Sequence, residues 1–222
     1  NAQYLGRLGE SITDVGQLWN LSILQANGLS PISTLASTVD ASMITPGLSL
    51  SFGRSFGETI NSRNQMGAFG MGWTVPWQTS LLTLTDGTVV ITAASGTQLR
   101  YQPDRRFAGK YFAAAGDMNM LMAAASGKFV WEQMDGTMSG FLANGKLDYV
   151  QDTNGKTITA GYNASGQLTS LSHSSGQSLT LAYSSAGLIG SITDSAGRAA
   201  VYTYDAGNQH WLSVQTPAGT TP

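Results

Sequence analysis

Apolar and polar residues alternate along short runs in the second half of the chain, and a glycine follows most of these runs. In Ser178–Tyr183, the side chains of Leu179, Leu181 and Tyr183 share one face of a strand, and small polar residues share the other. The first face is suited to a core and the second to contact with water. Turn pairs such as Asp86-Gly87 and Asn154-Gly155 separate the runs and favour type I′ hairpins. The pattern predicts an all-β, antiparallel protein.

A 21-residue period links these hairpins, and three sets of equivalent positions carry it. The sets are Tyr162, Tyr183 and Tyr204; Gly155, Gly176 and Gly197; and Gly145, Gly166 and Gly187. Each period holds two turns, so it corresponds to one hairpin, and successive hairpins would lie side by side in one sheet. We expect the three tyrosines to form a buried aromatic ladder. A repeat of this kind needs neighbours above and below it to complete its core.

The upstream part of the chain carries strand signals without the period. Residues 47–57 alternate as a strand, residues 80–102 predict three strands, and residues 118–133 predict a further pair. The segment from Ser11 to Gln25 predicts a short helix. We therefore divide the chain into an N-terminal segment (1–45), an upstream β region (46–140) and hairpin repeats (141–222).

Composition excludes several classes of function. The chain has 222 residues, of which 11% are charged, and its net charge is −2. Because the Lys and Arg residues are scattered, the chain offers no basic face for nucleic acid. It lacks Cys, which excludes disulfides, thiolate zinc sites and a cysteine nucleophile. No apolar run approaches the ~18 residues of a transmembrane helix. The ends at Asn1 and Pro222 show no natural start or stop, which predicts a piece of a longer polypeptide.

Few residues could carry catalysis. His173 and His210 are the only histidines. Because His173 occupies the slot that Asp152 and Asp194 fill one period away, we interpret it as a polar residue at a strand end. His210, beside Trp211, is interpreted as a histidine at the edge of the core. We expect no nucleophile elbow, phosphate loop, zinc motif or calcium loop, and hence no catalytic residue, metal or cofactor.

One segment of the repeats carries a family resemblance. Ser191–Gly207 contains a Gly-Arg pair, then Tyr204-Asp205 and a further glycine, and it resembles the Rhs or YD repeat. Tyr162-Asn163 and Tyr183-Ser184 are degenerate versions of the Tyr-Asp pair. Because the pair varies, we assign no fixed role to the Asp itself.

An upstream block supports the same resemblance. It includes Leu50–Phe56, Asn61–Arg63 and Gly67–Trp73, and it is similar to the segment that precedes the repeats in Rhs-type proteins. Within it we expect Arg54 and Arg63 to make structural hydrogen bonds or ion pairs. The two matches together span about residues 46–215.

The resemblance implies a structural function. Rhs and YD-repeat proteins wind β-hairpins into a spiral sheet that closes as a hollow shell, which encloses a toxin domain in bacterial toxins and serves adhesion in animal teneurins. By this resemblance the chain is a non-enzymatic shell fragment of a secreted or surface-exported protein. Its partners would be further YD repeats or other chains at its open strand edges, and an enclosed toxin domain.

Two other classes stay open. An adhesin that binds glycans would need exposed aromatic residues to line a groove, and Trp19, Trp77 and Trp131 are the candidates outside the repeat slots. A hydrolase is the class with least support, since it would depend on the two histidines.

Overall fold

The computed structural model describes residues 13–26, 37–57, 60–114, 116–216 and 219–221. Antiparallel strands make up about half of the chain and helices about a tenth, which confirms the all-β class. The helix predicted from Ser11 to Gln25 is present as α1, Val15–Ala26, and residues 11 and 12 lie outside the described residues. Asp14 caps α1, since its carboxylate accepts the N–H of Gln17 at 2.9 Å.

The described residues of the upstream part form two small sheets. One has the strand order β1-β2-β5, and the other is the hairpin of β3 and β4. These elements are β1 (Ser37–Met43), β2 (Leu50–Phe56), the helical turn α2 (Ile60–Arg63), β3 (Met66–Gly67), β4 (Gly70–Met71) and β5 (Trp73–Thr74).

One long sheet contains the other strands, and each strand pairs with the next along the chain. Its first part comprises β6 (Ser80–Thr83), β7 (Val89–Thr92), β8 (Gln98–Pro103), β9 (Lys110–Phe112), β10 (Met120–Ala123), β11 (Phe129–Glu132) and β12 (Met138–Phe141). Its second part comprises β13 (Leu147–Gln151), β14 (Thr157–Tyr162), β15 (Leu168–His173), β16 (Ser178–Tyr183), β17 (Ile189–Asp194), β18 (Ala199–Tyr204), β19 (Trp211–Thr216) and β20 (Gly219–Thr221). The sheet is not closed. The sheet continues across residue 140, the predicted boundary between the upstream β region and the repeats. Our three-part division of the chain stays a prediction.

The sheet curls at its first edge. The N–H of Leu81 in β6 donates to the carbonyl of Gly145, in the turn between β12 and β13, at 2.8 Å. An antiparallel bridge between Ser80 and Lys146 extends the contact. Edge strand β6 is therefore partly covered by a turn of its own sheet.

The expectation of type I′ turns is wrong for the repeats. A type I′ turn needs positive φ at two central residues, whereas each repeat turn has one left-handed residue, placed after the turn. Gly166 has φ 76°, Gly187 has φ 80°, and Asn208 holds the same position with φ 52°. In the turn after β16 the N–H of Gly187 donates to the carbonyl of Ser184 at 2.9 Å. The loops after β14 and β16 thus hold three residues and end in a left-handed bulge residue, a geometry different from that of a two-residue turn. The loop after β18 holds one residue more.

Two apolar clusters lie within the described part of the chain. The repeat core lies between the β1-β2-β5 sheet and strands β14–β19, and its most buried side chains are Leu50, Phe52, Phe69, Leu171, Leu179, Ile189 and Ile192. The upstream core lies within the curl of β6–β13 and is built around Ile91, Tyr101, Leu121 and Phe141. Trp77 packs against both clusters. In the described part of the chain, no helix has the length and hydropathy needed to cross a membrane.

Candidate functional site

The ladder tyrosines occupy equivalent positions on alternate strands. Tyr162, Tyr183 and Tyr204 end β14, β16 and β18, and each hydroxyl donates to a carbonyl fifteen residues earlier in the preceding strand. The acceptors are Leu147, Leu168 and Ile189, at 2.7, 2.8 and 2.7 Å. The three rings are half-buried rather than fully enclosed. Burial raises the pKa of Tyr162 and of Tyr183 to about 12, and it raises the pKa of Tyr204 as well.

The residue after each ladder tyrosine has a common role. It accepts a hydrogen bond from the backbone N–H four residues later, and the three acceptors are Asn163, Ser184 and Asp205. Any short side chain with an acceptor oxygen can hold the loop in this way. The role is therefore fixed although the residue varies, which explains the degenerate Tyr-Asp pairs. The pKa of Asp205 is below its ordinary value because the backbone and side chain of His210 hydrogen-bond to its carboxylate.

A second polar row lies at the opposite ends of the strands. Asp194 accepts the N–H groups of Ala196 and Arg198, each at 2.9 Å, and its other oxygen pairs with the guanidinium of Arg198 at 2.7 Å. Although burial opposes it, these bonds from Arg198 hold the pKa of Asp194 below its ordinary value. His173 is buried, and its Nδ1 accepts the N–H of Ser175 at 3.0 Å. His173 thus replaces Asp as the acceptor that holds the turn.

The prediction for His210 is wrong. Its side chain is 62% exposed, and its Nδ1 lies 3.0 Å from the carboxylate of Asp205. Trp211, not His210, pairs with Tyr204 in the way that Leu168 pairs with Tyr162. The reason is one extra residue in the loop after β18, where the N–H of Asp205 donates to the carbonyl of His210. The insertion moves His210 out of the core slot.

A buried ion pair lies where the upstream sheet meets the repeats. Arg54 in β2 contacts Asp40 in β1 at 2.8 Å, and the two side chains are 4% and 3% exposed. The hydroxyl of Tyr202 in β18 donates to the same Asp40 oxygen at 3.0 Å. Burial, together with the negative charge of Asp40, raises the pKa of Tyr202. We call Asp40, Arg54 and Tyr202 the anchor.

Aromatic rings surround the anchor. The guanidinium carbon of Arg54 lies 3.8 Å from the ring centroid of Trp211 and 4.9 Å from that of Trp73. The two indoles meet edge to face with centroids 5.6 Å apart, and the rings of Phe69 and Tyr202 pack in a tilted arrangement with centroids 4.7 Å apart. Since Trp73 belongs to β5 and Trp211 to β19, the cation holds both sheets together. Arg63 has a backbone role, and its Nε donates to the carbonyl of Gly57 at 2.7 Å.

One nucleophile motif was not predicted from the sequence. Gly53–Gly57 reads Gly-Arg-Ser-Phe-Gly and so matches the Gly-x-Ser-x-Gly pattern that we did not expect. A nucleophile elbow requires a sharp turn from strand to helix, whereas Ser55 lies within β2 and pairs with Thr74 in β5. The motif therefore lacks the backbone geometry that activates such a serine.

A groove lies beside the anchor. It has a volume of about 720 Å³ and is lined in part by Trp77, Trp131 and Arg54. The indole N–H of Trp131 is used internally, since it donates to the hydroxyl of Tyr101 at 2.8 Å. Trp19 lies on α1 and is 67% exposed, and it does not line this groove. Among the described residues, no three His, Asp or Glu side chains come together as a metal site.

Comparisons with known proteins identify two regions of the chain. The family model of the RHS repeat matches residues 162–199, which include the first two ladder tyrosines and the turns between β14 and β18. The model described as domain of unknown function DUF6531 matches residues 33–101, which include Arg54 and Trp73. The search of curated proteins found no match.

Proposed function

This chain is an Rhs/YD-repeat protein, and we propose that it serves as a non-enzymatic wall segment of a hollow β-shell that encloses a toxin domain. The proposal includes secretion or export to the cell surface. The observation that carries it is the single sheet from β6 to β20, in which hairpins follow one another in chain order. A sheet of this topology can be lengthened by any number of further hairpins.

The repeat geometry supports a wall. Each hairpin adds two strands, or about 9–10 Å of sheet at ~4.8 Å per strand. The ladder hydroxyls fix each hairpin to the strand before it. The apolar face of β14–β19 is covered by the upstream sheet, so the first repeats have a completed core. Repeat arrays need such a cap at the end where they start.

Electron microscopy of the natural polypeptide that contains this chain tests the shell. We expect a hollow particle whose wall continues from β20, with the repeat core at one end. A compact β-domain without a lumen would reject the proposal. Fractionation of the source cells, with an antibody against the chain, tests export, and a purely cytosolic distribution would contradict it.

The non-enzymatic part has its own test. Because the Asp205–His210 pair is the exposed candidate for proton transfer, a hydrolase that used this chain should lose activity in His210→Ala. We expect purified chain to show no hydrolysis of ester, peptide or glycoside substrates. Any hydrolysis that the His210→Ala or His173→Ala variant abolishes would overturn this expectation.

A glycan-binding role is a second proposal, and the groove beside Trp77 and Trp131 favours it. Indole faces in a groove can stack on sugar rings. We expect a glycan array to show hits that Trp77→Ala reduces, with Trp19→Ala as the control because Trp19 lies on α1, away from the groove. An array without hits would remove this function and leave the shell proposal intact.

A further inference from the structure

A second cavity lies between the upstream block and the repeats, and it shares Trp77 with the groove of the glycan proposal but not Trp131 or Arg54. Its volume is about 550 Å³, which is the size that accommodates one small molecule. Its apolar walls include Phe52, Trp77, Tyr162, Leu168 and Ile189. Flat aromatic walls of this kind favour a ligand with a flat apolar body.

The lining carries one formal charge. Lys146 is the single charged residue on the wall, and no Asp or Glu lines the cavity within the described part of the chain. The nearby Asp148 pairs instead with Lys128, at 2.9 Å. Among the described residues Lys146 forms no ion pair, so its positive charge is not neutralised by a carboxylate.

The hydrogen-bonding capacity of Lys146 is only partly used. The residue is half-buried, and its ammonium group donates to the carbonyl of Gly166 and lies 5.3 Å from the ring centroid of Tyr162. An ammonium group has three N–H donors, and the described residues accept one of them. The ladder hydroxyl of Tyr162 is already donated to Leu147. The cavity thus places a positively charged hydrogen-bond donor, the ammonium group of Lys146, next to aromatic walls. A ligand with an acceptor group and an apolar ring would fit this arrangement.

We propose that this cavity binds a small aromatic carboxylate, with the carboxylate on Lys146 and the ring against Trp77. A neutral analogue of the same shape would keep the apolar contact and lose the charge-assisted hydrogen bonds. Such bonds to a charged group correspond to about tenfold in affinity or more. The inference does not depend on the shell function.

The test compares two probes on the full chain by calorimetry, 2-naphthoate and its uncharged analogue 2-naphthamide. We expect 2-naphthoate to bind about tenfold more tightly than 2-naphthamide. Equal affinities, or no binding of 2-naphthoate, would overturn the proposal.

Variants identify the cavity as the site. Lys146→Met should lower the affinity for 2-naphthoate to that for 2-naphthamide, while Lys146→Arg should retain the preference. Lys128→Met is the matched control, because Lys128 is exposed and lies outside the cavity. Ala186→Trp, at the exposed rim, should weaken both probes.

Circular dichroism and thermal unfolding establish that each variant is folded. Should Lys146→Met fail to fold, Lys146→Arg and Ala186→Trp still decide the question. Unchanged binding of 2-naphthoate by Ala186→Trp and by a folded Lys146→Met would place the probe elsewhere and reject the site.

Discussion

A single hydroxyl connects each ladder tyrosine to the preceding strand of the sheet. Backbone hydrogen bonds between strands already join neighbouring hairpins edge to edge. The tyrosine hydroxyl adds a side-chain hydrogen bond at the strand end, where a loop begins. The bond is half-buried, so water competes with it less than at the surface. It recurs with the same donor and acceptor positions at Tyr162, Tyr183 and Tyr204.

Removal of one ladder hydroxyl should have a measurable cost. Tyr183→Phe loses the bond to Leu168 and should lower the free energy of unfolding by about 1 kcal/mol. Tyr149→Phe is the matched control, because the hydroxyl of Tyr149 bonds to no described residue, and it should change stability by less than about 0.5 kcal/mol. Urea unfolding measures both variants. Equal losses would show that the ladder bond contributes nothing.

The same tyrosines predict an alkaline transition. The pKa of Tyr162 and of Tyr183 rises from 10.0 to about 12 in the folded chain because burial disfavours the phenolate. The folded state therefore retains its phenol protons more tightly than the unfolded state. This contribution to stability is complete below pH 10 and is lost as the pH rises through 12.

Unfolding free energies measured at several pH values, with phenolate absorbance recorded in parallel, test this transition. Replacement of both tyrosines by Phe should make the decline above pH 10 shallower. A variant whose stability falls in parallel with the natural chain would assign the transition to other groups.

We expect substitutions in the anchor to lower the free energy of unfolding more than substitutions elsewhere in the upstream sheet. Arg54→Met leaves the carboxylate of Asp40 buried without its cation, and loss of one partner of a buried pair costs about 3–5 kcal/mol. Arg198→Met removes a comparable pair whose cation is 57% exposed and should cost no more than about 1 kcal/mol. Urea unfolding compares the two. A similar small effect of both would mean that the anchor is dispensable for joining the sheets.

At the scale of the element, the hairpins depend on a left-handed residue in the loop that follows each ladder tyrosine. Asn208 takes this conformation in the position of Gly166 and Gly187, since Asn tolerates it better than other residues with a side chain. A register shift before each ladder tyrosine, such as that between Ala182 and Tyr183, brings the ring to the strand end. Bulge and glycine together therefore set the geometry of the repeat.

Replacing two loop glycines distinguishes the energetic cost of a left-handed backbone from the cost of a steric clash. At Gly187, with φ 80°, the nearest atom to a new Cβ is 3.6 Å away, so Gly187→Ala should cost only the left-handed conformation, about 1–2 kcal/mol. At Gly145, also with φ 80°, a Cβ would collide with the carbonyl of Leu81, so Gly145→Ala should cost more. Asn208→Gly is the control and should be neutral or stabilising. Thermal unfolding measures all three, and equal effects at the two glycines would contradict the contact with β6.

The sequence predicts the strands and hairpins better than it predicts the contacts between them. Strand positions follow from alternation and glycine spacing, and both signals are local. The anchor was not predictable as a unit, because Asp40 and Tyr202 are 162 residues apart and no periodic pattern connects them. His210 was misplaced for a related reason, since a one-residue insertion shifts a register without changing the local composition.

For the whole molecule, the two edges of the long sheet differ. The β6 edge is partly covered, since Leu81 donates to Gly145. Within the described part of the chain, β20 has one hydrogen-bonded neighbour, β19. An exposed edge strand offers unpaired N–H and carbonyl groups to another strand. We therefore expect any growth of the sheet to proceed from β20.

This asymmetry predicts self-association through one edge. Light scattering should show association of the chain as its concentration rises, and lysines introduced in β20 by Thr220→Lys together with Thr221→Lys should suppress it, because charged edge strands repel one another. The control, Thr220→Ser with Thr221→Ser, should associate as the natural chain does. A natural chain that stays monomeric at high concentration would contradict the prediction. If the lysines lacked effect, the contact would lie elsewhere, and the directional growth on which a shell wall depends would lose its support.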